Sequence, residues 1–347
     1  MSHPPPFLAR RVVRTLRTGT VSEESVRLLS VGTEQLVFRL VDHLTREVPP
    51  HERILFVPGD WGFGKSHVRM LCAALLGEQG FPFVRDAIDG HACSLAHLHR
   101  CVPRWLETLR WRQVCGLRHL LRAGAFDHGR AIAWFSGQSD PHVCTLRVAL
   151  NGSQSTWLTA LGHHLCTPDY SYQHPRAAGL LSAVAELLNI AGPGRLVLLL
   201  DEAENIDRQP DVRGRRKSYA TLGGFKKNSA LRTVLFITPR FVQQTQDDLR
   251  RATSEDWYGW PEDARQFLED FPRFPTLTLP PLDDTLAQEL VRQLIAIYER
   301  AAGPAENPVS TYEILRFWRQ TATQSIRLLV RLTISYLDCQ YQRSVRV

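Results

Sequence analysis

The sequence predicts an α/β protein built on a parallel sheet covered on both faces, followed by a wholly helical part. Three observations predict it. Apolar runs alternate with helix-period segments from Ile54 to Leu279. The stretch Gly59-Asp60-Trp61-Gly62-Phe63-Gly64-Lys65-Ser66, spelled GxxxxGKS, stands between one such run and a helix-period segment. Beyond Pro280-Pro281 the pattern turns to helices alone. Runs that are apolar at every position, rather than at alternate ones, belong to strands buried on both faces.

In chain order, Phe7, Leu8, Val12, Val13 and Leu16 share one helical face, and Gly19 is the expected stop. Arg10, Arg11, Arg14 and Arg17 fill the rest, giving a basic amphipathic helix. Thr33 is placed to cap a helix carrying Leu36, Val37, Leu40, Val41 and Leu44. Ile54-Leu55-Phe56-Val57-Pro58 reads as a strand and Val68 to Leu76 as a helix packed on it. Phe81 to Asp89 reads as a second strand, weakened by Pro82. Residues 92 to about 190 form a helical insert, clearest at Leu180, Leu181, Val184, Leu187 and Leu188, with Thr167 to Pro175 as loop. Leu196 to Asp201, Thr233 to Thr238 and Thr276 to Leu279 supply three more strands. Asp283 or Asp284 caps a helix with Leu286, Leu290, Leu294 and Ile297, and Ser310 with Glu313 spells a capping box. Ile326, Val330, Ile334, Leu337 and Tyr341 line the last helix. The shift at 280 divides the chain into a core, 1–280, and a helical lid, 281–347.

Composition narrows the classes. A chain of 347 residues with a 44% hydrophobic fraction can bury a sizeable core. Its longest apolar runs are about five residues, far short of the ~20 of a membrane-spanning helix. No signal-like apolar stretch follows Met1, and the seven cysteines include no CxxC pair, so a reducing, cytoplasmic setting is expected. A net charge of +7 suits either a solvated basic surface or a nucleic-acid partner.

The chemistry lies at the strand ends. Glycines at 59, 62 and 64 let the backbone wrap phosphate oxygens with its N–H groups inward, at the positive end of the following helix. Lys65 is expected on the β- and γ-phosphates and Ser66 on Mg²⁺. Val31-Gly32, in a turn ahead of this loop, is a candidate adenine contact. Asp201-Glu202 ends an apolar strand, with Asp201 suited to the Mg²⁺ shell and Glu202 to deprotonating water. Together these predict binding and hydrolysis of ATP with Mg²⁺ as cofactor. Two roles are open to Thr238, a bond to the γ-phosphate or lytic water, or a cap on the turn before Pro239. Arg240 is a candidate for the same cleft. Arg327, at a helix start where a cation opposes the dipole, calls for a partner, either a γ-phosphate or a surface carboxylate. Arg273, with Arg265 competing, is the candidate arginine finger for a neighbouring subunit.

Three clusters carry weaker signals. His91, Cys93, His97, His99 and Cys101 fit no usual zinc spacing. The run Arg213-Gly214-Arg215-Arg216-Lys217 suits nucleic-acid phosphate or an exposed helix start. Trp257-Tyr258-Gly259-Trp260 suits packing or a partner surface.

The order of a basic N-terminal helix, Leu29-Ser30-Val31-Gly32, GDWGFGKSH, a helical insert, GRLVLLLDEAENI and Arg216-Lys217-Ser218-Tyr219-Ala220-Thr221-Leu222 resembles the BREX-type ATP-binding proteins of bacterial phage-defence loci (BrxD-like, related to BrxC). These belong to the AAA+ ATPases of the origin-recognition/STAND kind. The resemblance spans roughly residues 7–300 and is most specific at His67 and Glu204. It implies an AAA+ three-layer P-loop core with strand order 5-1-4-3-2 and a helical lid. It also implies ATP hydrolysis in an oligomeric, multi-protein defence complex associated with double-stranded DNA. Thr33 stands where origin-recognition ATPases carry an arginine, and no winged helix follows the lid in this sequence. A STAND-like scaffold or signalling switch with slow hydrolysis, and a DNA-loading ATPase acting alone, are the other functions this pattern fits.

Overall fold

The computed structural model describes residues 4–20, 22–88, 101, 105, 127–137, 174–191, 194–206, 208–209, 212–254, 259–304 and 309–344. It divides into a sheet unit, Val41–Val57 with Leu75–Leu277, and a helical unit, Met1–Leu40 with Pro58–Ala74 and Thr278–Val347. Four strands form one sheet in the order β1-β4-β3-β2: β1 (Ile54–Pro58), β2 (Phe83–Ala87), β3 (Leu196–Asp201) and β4 (Leu231–Ile237). The helices are α1 (Pro6–Arg17), α2 (Glu23–Leu28), α3 (Glu34–Thr45), α4 (Lys65–Glu78), α5 (His128–Ser136) and α6 (His174–Ala191). They continue as α7 (Val212–Lys227), α8 (Pro239–Ser254), α9 (Glu262–Asp270), α10 (Asp284–Ala302), α11 (Thr311–Arg319) and α12 (Ile326–Ser344).

In the sheet unit, β2 pairs parallel to β3, with Ala87 opposite Asp201, and β3 pairs parallel to β4, with Leu200 opposite Leu235. Every residue of β3 and β4 is buried, which is why their sequences are mostly apolar. Asp201, Arg232 and Thr233 are the polar residues among them, and Arg232 is the largest. Its guanidinium donates to the Ser229 and Leu231 carbonyls and to Arg46 at 3.2 Å, and burial with Arg195 and Arg53 nearby pulls its pKa down to about 9. One core gathers Leu181 and Val184 of α6, Leu222 and Phe225 of α7, Phe241 of α8 and Phe267 of α9 around the strands.

The expected fifth strand is reduced to a single parallel bridge, Phe56 to Thr276. The Phe56 N–H donates to Pro275 and the Phe56 carbonyl accepts from Leu277, both at 2.9 Å. The next rungs would need N–H donors from Pro58 and Pro275, which proline lacks. Thr276 thus takes the place beside β1 that the fifth strand was expected to hold, but no ladder forms.

In the helical unit, Ala9, Val12, Val13 and Leu16 of α1 share a core with Leu290, Val291 and Leu294 of α10, Trp318 of α11 and Leu337 of α12. The α1 arginines are partly spent within this unit. Arg10 donates to the Ala301 carbonyl at 3.0 Å, Arg17 pairs with Asp338 at 2.5 Å, and Arg11 pairs with Glu24 at 3.2 Å. Asp283 caps α10 through the Leu286 N–H at 2.8 Å. Ser310 caps α11 through the Glu313 N–H at 3.3 Å, but the Glu313 carboxylate accepts the Tyr336 hydroxyl at 2.5 Å, so only half of the expected box forms. Thr33 precedes α3 and its carbonyl accepts from Val37, yet its buried hydroxyl makes no hydrogen bond among the described residues and does not cap. The expected loop over 167–175 lies outside the described residues except His174 and Pro175, which already belong to α6. No helix among the described residues is long and apolar enough to cross a membrane.

Candidate functional site

The phosphate-type loop belongs to the helical unit. It follows β1 in sequence and ends on the first turn of α4, which begins at Lys65. Gly62 and Gly64 have φ of 83° and 96°, conformations that a side chain disfavours, so the GxxxxGKS spacing is met by backbone geometry here. The Lys65 side chain is buried along the loop, and its ammonium donates to the Gly59 carbonyl at 2.5 Å and the Asp60 carbonyl at 3.2 Å. It also lies 5.7 Å from the Trp61 ring, whose indole is half exposed. Asp60 is exposed, and Phe63 and Ser66 are partly buried. The Gly62 carbonyl accepts the Arg327 N–H at 3.1 Å, and a Cβ at Gly62 would stand 3.2 Å from Arg327 and Ser325. Arg327 therefore meets the loop through its backbone at the start of α12, while its side chain is exposed.

Two neighbours complete this half. Val31 packs on the helical core, and a Cβ at Gly32 would come within 2.9 Å of Leu286, so that turn is held close to α10. His67, one residue past the loop serine, has a buried Nε2 with no hydrogen bond among the described residues, and burial pushes its pKa down to about 4. It is neutral at pH 7.

The paired acids belong to the sheet unit. Asp201 is the last residue of β3 and is buried, and its Oδ1 accepts the Glu202 N–H at 3.0 Å. Glu202 has φ of 58°, the one non-glycine residue among those described with positive φ. Left-handed backbone costs a non-glycine residue about 1–2 kcal/mol and persists where surrounding bonds hold it. Here the Glu202 carbonyl accepts the Asn205 N–H at 2.9 Å. The Asn205 side-chain amide donates to the Glu202 carboxylate at 3.2 Å and to the Ile88 carbonyl at 2.5 Å. Asn205 closes the DEAEN stretch that carries part of the resemblance, but the sequence assigned it no role.

On the adjacent strand, Thr238 follows β4 and is buried. Its carbonyl accepts the Val242 N–H at 3.4 Å, but its hydroxyl makes no hydrogen bond among the described residues. The hydroxyl cap is therefore not formed, and a buried hydroxyl is left at the carboxyl edge of the sheet, the edge from which Asp201 also emerges. Arg240 is exposed. Arg273 is 78% exposed and lies 4.0 Å from Asp270, and Arg265 pairs with Glu262.

The basic run after the acids is largely engaged within the sheet unit. Arg215 is buried in a bidentate pair with Asp248, at 2.9 and 3.2 Å, which also accepts the Tyr219 hydroxyl. Arg216 lies 4.6 Å over the Trp260 ring and donates to Gly259 at 3.2 Å. Trp260 is buried and stacks near Tyr219, so this end of the aromatic stretch is packing; Trp257 and Tyr258 lie outside the described residues. His91, Cys93, His97 and His99 also lie outside them, Cys101 is a buried free thiol, and no metal-holding group occurs among the described residues.

Ser66 on the first turn of α4 and Asp201 at the end of β3 each offer oxygen, the ligand chemistry that Mg²⁺ takes. No family model matches the chain, and no curated protein matches it in sequence. Its fold is similar to that of a solved structure, the Walker-type ATPase PABY2304 of Pyrococcus abyssi, with a TM-score of 0.50 and 14% identity over 91% of this chain and 70% of that one.

Proposed function

We propose that the protein binds Mg²⁺ and ATP at the Gly59–Ser66 loop and hydrolyses ATP with Glu202 as general base. The observation that carries this reading is the left-handed backbone of Glu202. A glutamate stands at the end of β3 where glycine would be free of strain, which is expected where the carboxylate itself is needed. The loop N–H groups and the Lys65 ammonium hold the β- and γ-phosphates, Lys65 exchanging its present carbonyl partners for phosphate oxygens. Ser66 and Asp201 would hold Mg²⁺, which neutralises charge on the phosphates when bound. The Glu202 carboxylate takes a proton from water, and the buried Thr238 hydroxyl orients that water or the γ-phosphate. Val31 and Gly32 border the base of the nucleotide.

A second reading draws on the bond from the Arg327 N–H to Gly62. It supports a switch in which the loop's nucleotide state is reported to α12, with slow hydrolysis serving as a timer. Arg273, exposed and weakly paired, is offered as a finger for a neighbouring subunit. On the sequence resemblance alone, we extend the reading to an oligomeric, DNA-associated anti-phage complex with other protein subunits. Duplex DNA binding that weakens steeply with salt while ATP is bound tests the nucleic-acid part. ATP turnover tests the core. Glu202→Gln and Thr238→Ala are expected to lower kcat by about 100-fold or more and about 10-fold, with nucleotide affinity retained. Turnover in Glu202→Gln equal to that of the unmodified protein would remove the assignment.

A further inference from the structure

The hydrogen bonds around the acid turn point beyond the pair Asp201-Glu202 to a third residue. We propose that Asn205 is the positioning residue for the Glu202 carboxylate. The inference rests on the reading of Glu202 as general base.

Asn205 begins from an unusual place for an amide. It is 5% exposed, in the 3-10 turn Ala203–Ile206 that follows β3. Burial of an amide is unfavourable unless its bonds are made, so the partners it chooses are informative. Its Nδ2 donates twice, to the Ile88 carbonyl at 2.5 Å and to Glu202 Oε2 at 3.2 Å, while its Oδ1 accepts no hydrogen bond among the described residues. Its backbone N–H donates to the Glu202 carbonyl at 2.9 Å. One residue thus holds Glu202 by both ends, backbone and carboxylate.

The anchor is also fixed. Ile88 follows β2 directly, and its N–H donates to the Asp201 carbonyl at 2.9 Å, continuing the β2–β3 ladder by one rung. Ile88 is buried and accepts the Asn205 amide on its other side. Asp201, Glu202, Asn205 and Ile88 therefore form a closed ring of hydrogen bonds at the carboxyl edge of the sheet. The ring accounts for the φ of 58° at Glu202, because releasing that conformation would break the bonds at both of its ends. It also fixes the orientation of the amide. With Nδ2 and Oδ1 exchanged, the oxygen would face a carbonyl and a carboxylate and gain no donor.

The consequence for chemistry is geometric. A glutamate side chain at a strand end has three rotatable bonds, and a base that must meet one water molecule needs most of that freedom removed. An amide donor anchored to β2 removes it without adding charge beside the carboxylate. A purely structural asparagine would need only the Ile88 bond, and the bond to Glu202 would then be incidental.

The test separates these. Asn205→Ala is expected to lower kcat by about 10- to 100-fold, normalised to the nucleotide-bound fraction, with ATP affinity unchanged. Asn205→Ser, which keeps a short donor, is expected to recover part of that loss. Normalising to bound nucleotide corrects for any misfolded fraction, which a structural role alone would create. Full kcat per bound nucleotide in Asn205→Ala, with Glu202→Gln inactive, would overturn the positioning role and leave the base assignment standing. Full activity in Glu202→Gln would overturn the base assignment and this inference with it. If Asn205→Ala fails to fold, Asn205→Ser decides alone, with kcat between the two limits expected and kcat equal to the unmodified protein overturning the role.

Discussion

The loop at 59–66 and the turn at 201–205 solve the same local problem in opposite ways. Each lies just past a buried strand, and each must turn the chain sharply where polar chemistry is displayed. The loop places its left-handed residues on Gly62 and Gly64, where no side chain is strained. The acid turn places its left-handed residue on Glu202 and holds it with a ring of hydrogen bonds. The difference teaches what each position is for. Where backbone N–H groups are the working parts, glycine is the best residue, and where a carboxylate is the working part, strain is retained.

The largest expected effect probes the loop side. Lys65→Ala removes a charged donor that the fold already directs across the loop, and ATP affinity is expected to fall by about 100-fold or more in a titration. Unchanged affinity would mean that the loop's resemblance to a phosphate cradle is only geometric.

Next comes the proton dependence of the loop's neighbour. His67 is held at a pKa of about 4 by burial, below the unfolded value of 6.5. Below pH 6.5 the unfolded chain binds a proton that the folded one does not, so stability is full above 6.5 and is lost as pH falls towards 4. The loss from this residue is up to ~3 kcal/mol. His67→Gln, measured by denaturant unfolding at pH 7 and pH 4.5, is expected to flatten that slope, and an unchanged slope would assign it elsewhere.

Gly62→Ala sharpens the comparison directly. It puts a side chain at a φ of 83° and within 3.2 Å of Ser325 and Arg327, and is expected to lower stability by about 1–2 kcal/mol and to weaken nucleotide binding. The reciprocal change, Glu202→Gly, relieves strain and is expected to raise stability by up to ~1 kcal/mol while abolishing hydrolysis. A Glu202→Gly protein that melts well below the unmodified one would show that the carboxylate bonds outweigh the strain.

What the sequence made legible follows the same divide. The loop was readable because its glycines, lysine and serine are themselves the geometry. Strands β1, β3 and β4 were readable because burial on both faces demands mostly apolar runs such as Leu196 to Leu200, whereas β2, with Arg85 exposed, carries a weaker signal. The fifth strand was not, because the alternating Thr276 to Leu279 says nothing of the register in which Pro58 and Pro275 fall where a ladder needs donors. Asp201-Glu202 was visible as a pair, but its left-handed backbone and the Asn205 amide that grips it were not. Those depend on β2 lying beside β3, a pairing between residues more than a hundred positions apart. The basic run opens α7, with Arg213 and Lys217 exposed, as its helix-start reading had it, but only the fold reveals that Arg215 meets Asp248 and Arg216 meets Trp260.

The most direct test is the identity of the nucleotide that stays on the protein. Unmodified protein and Glu202→Gln are each incubated with ATP and Mg²⁺, separated from free nucleotide, and the bound species identified by chromatography. ADP is expected on the unmodified protein and intact ATP on Glu202→Gln, because binding belongs to the loop and cleavage to the carboxylate. ADP on both would contradict that division.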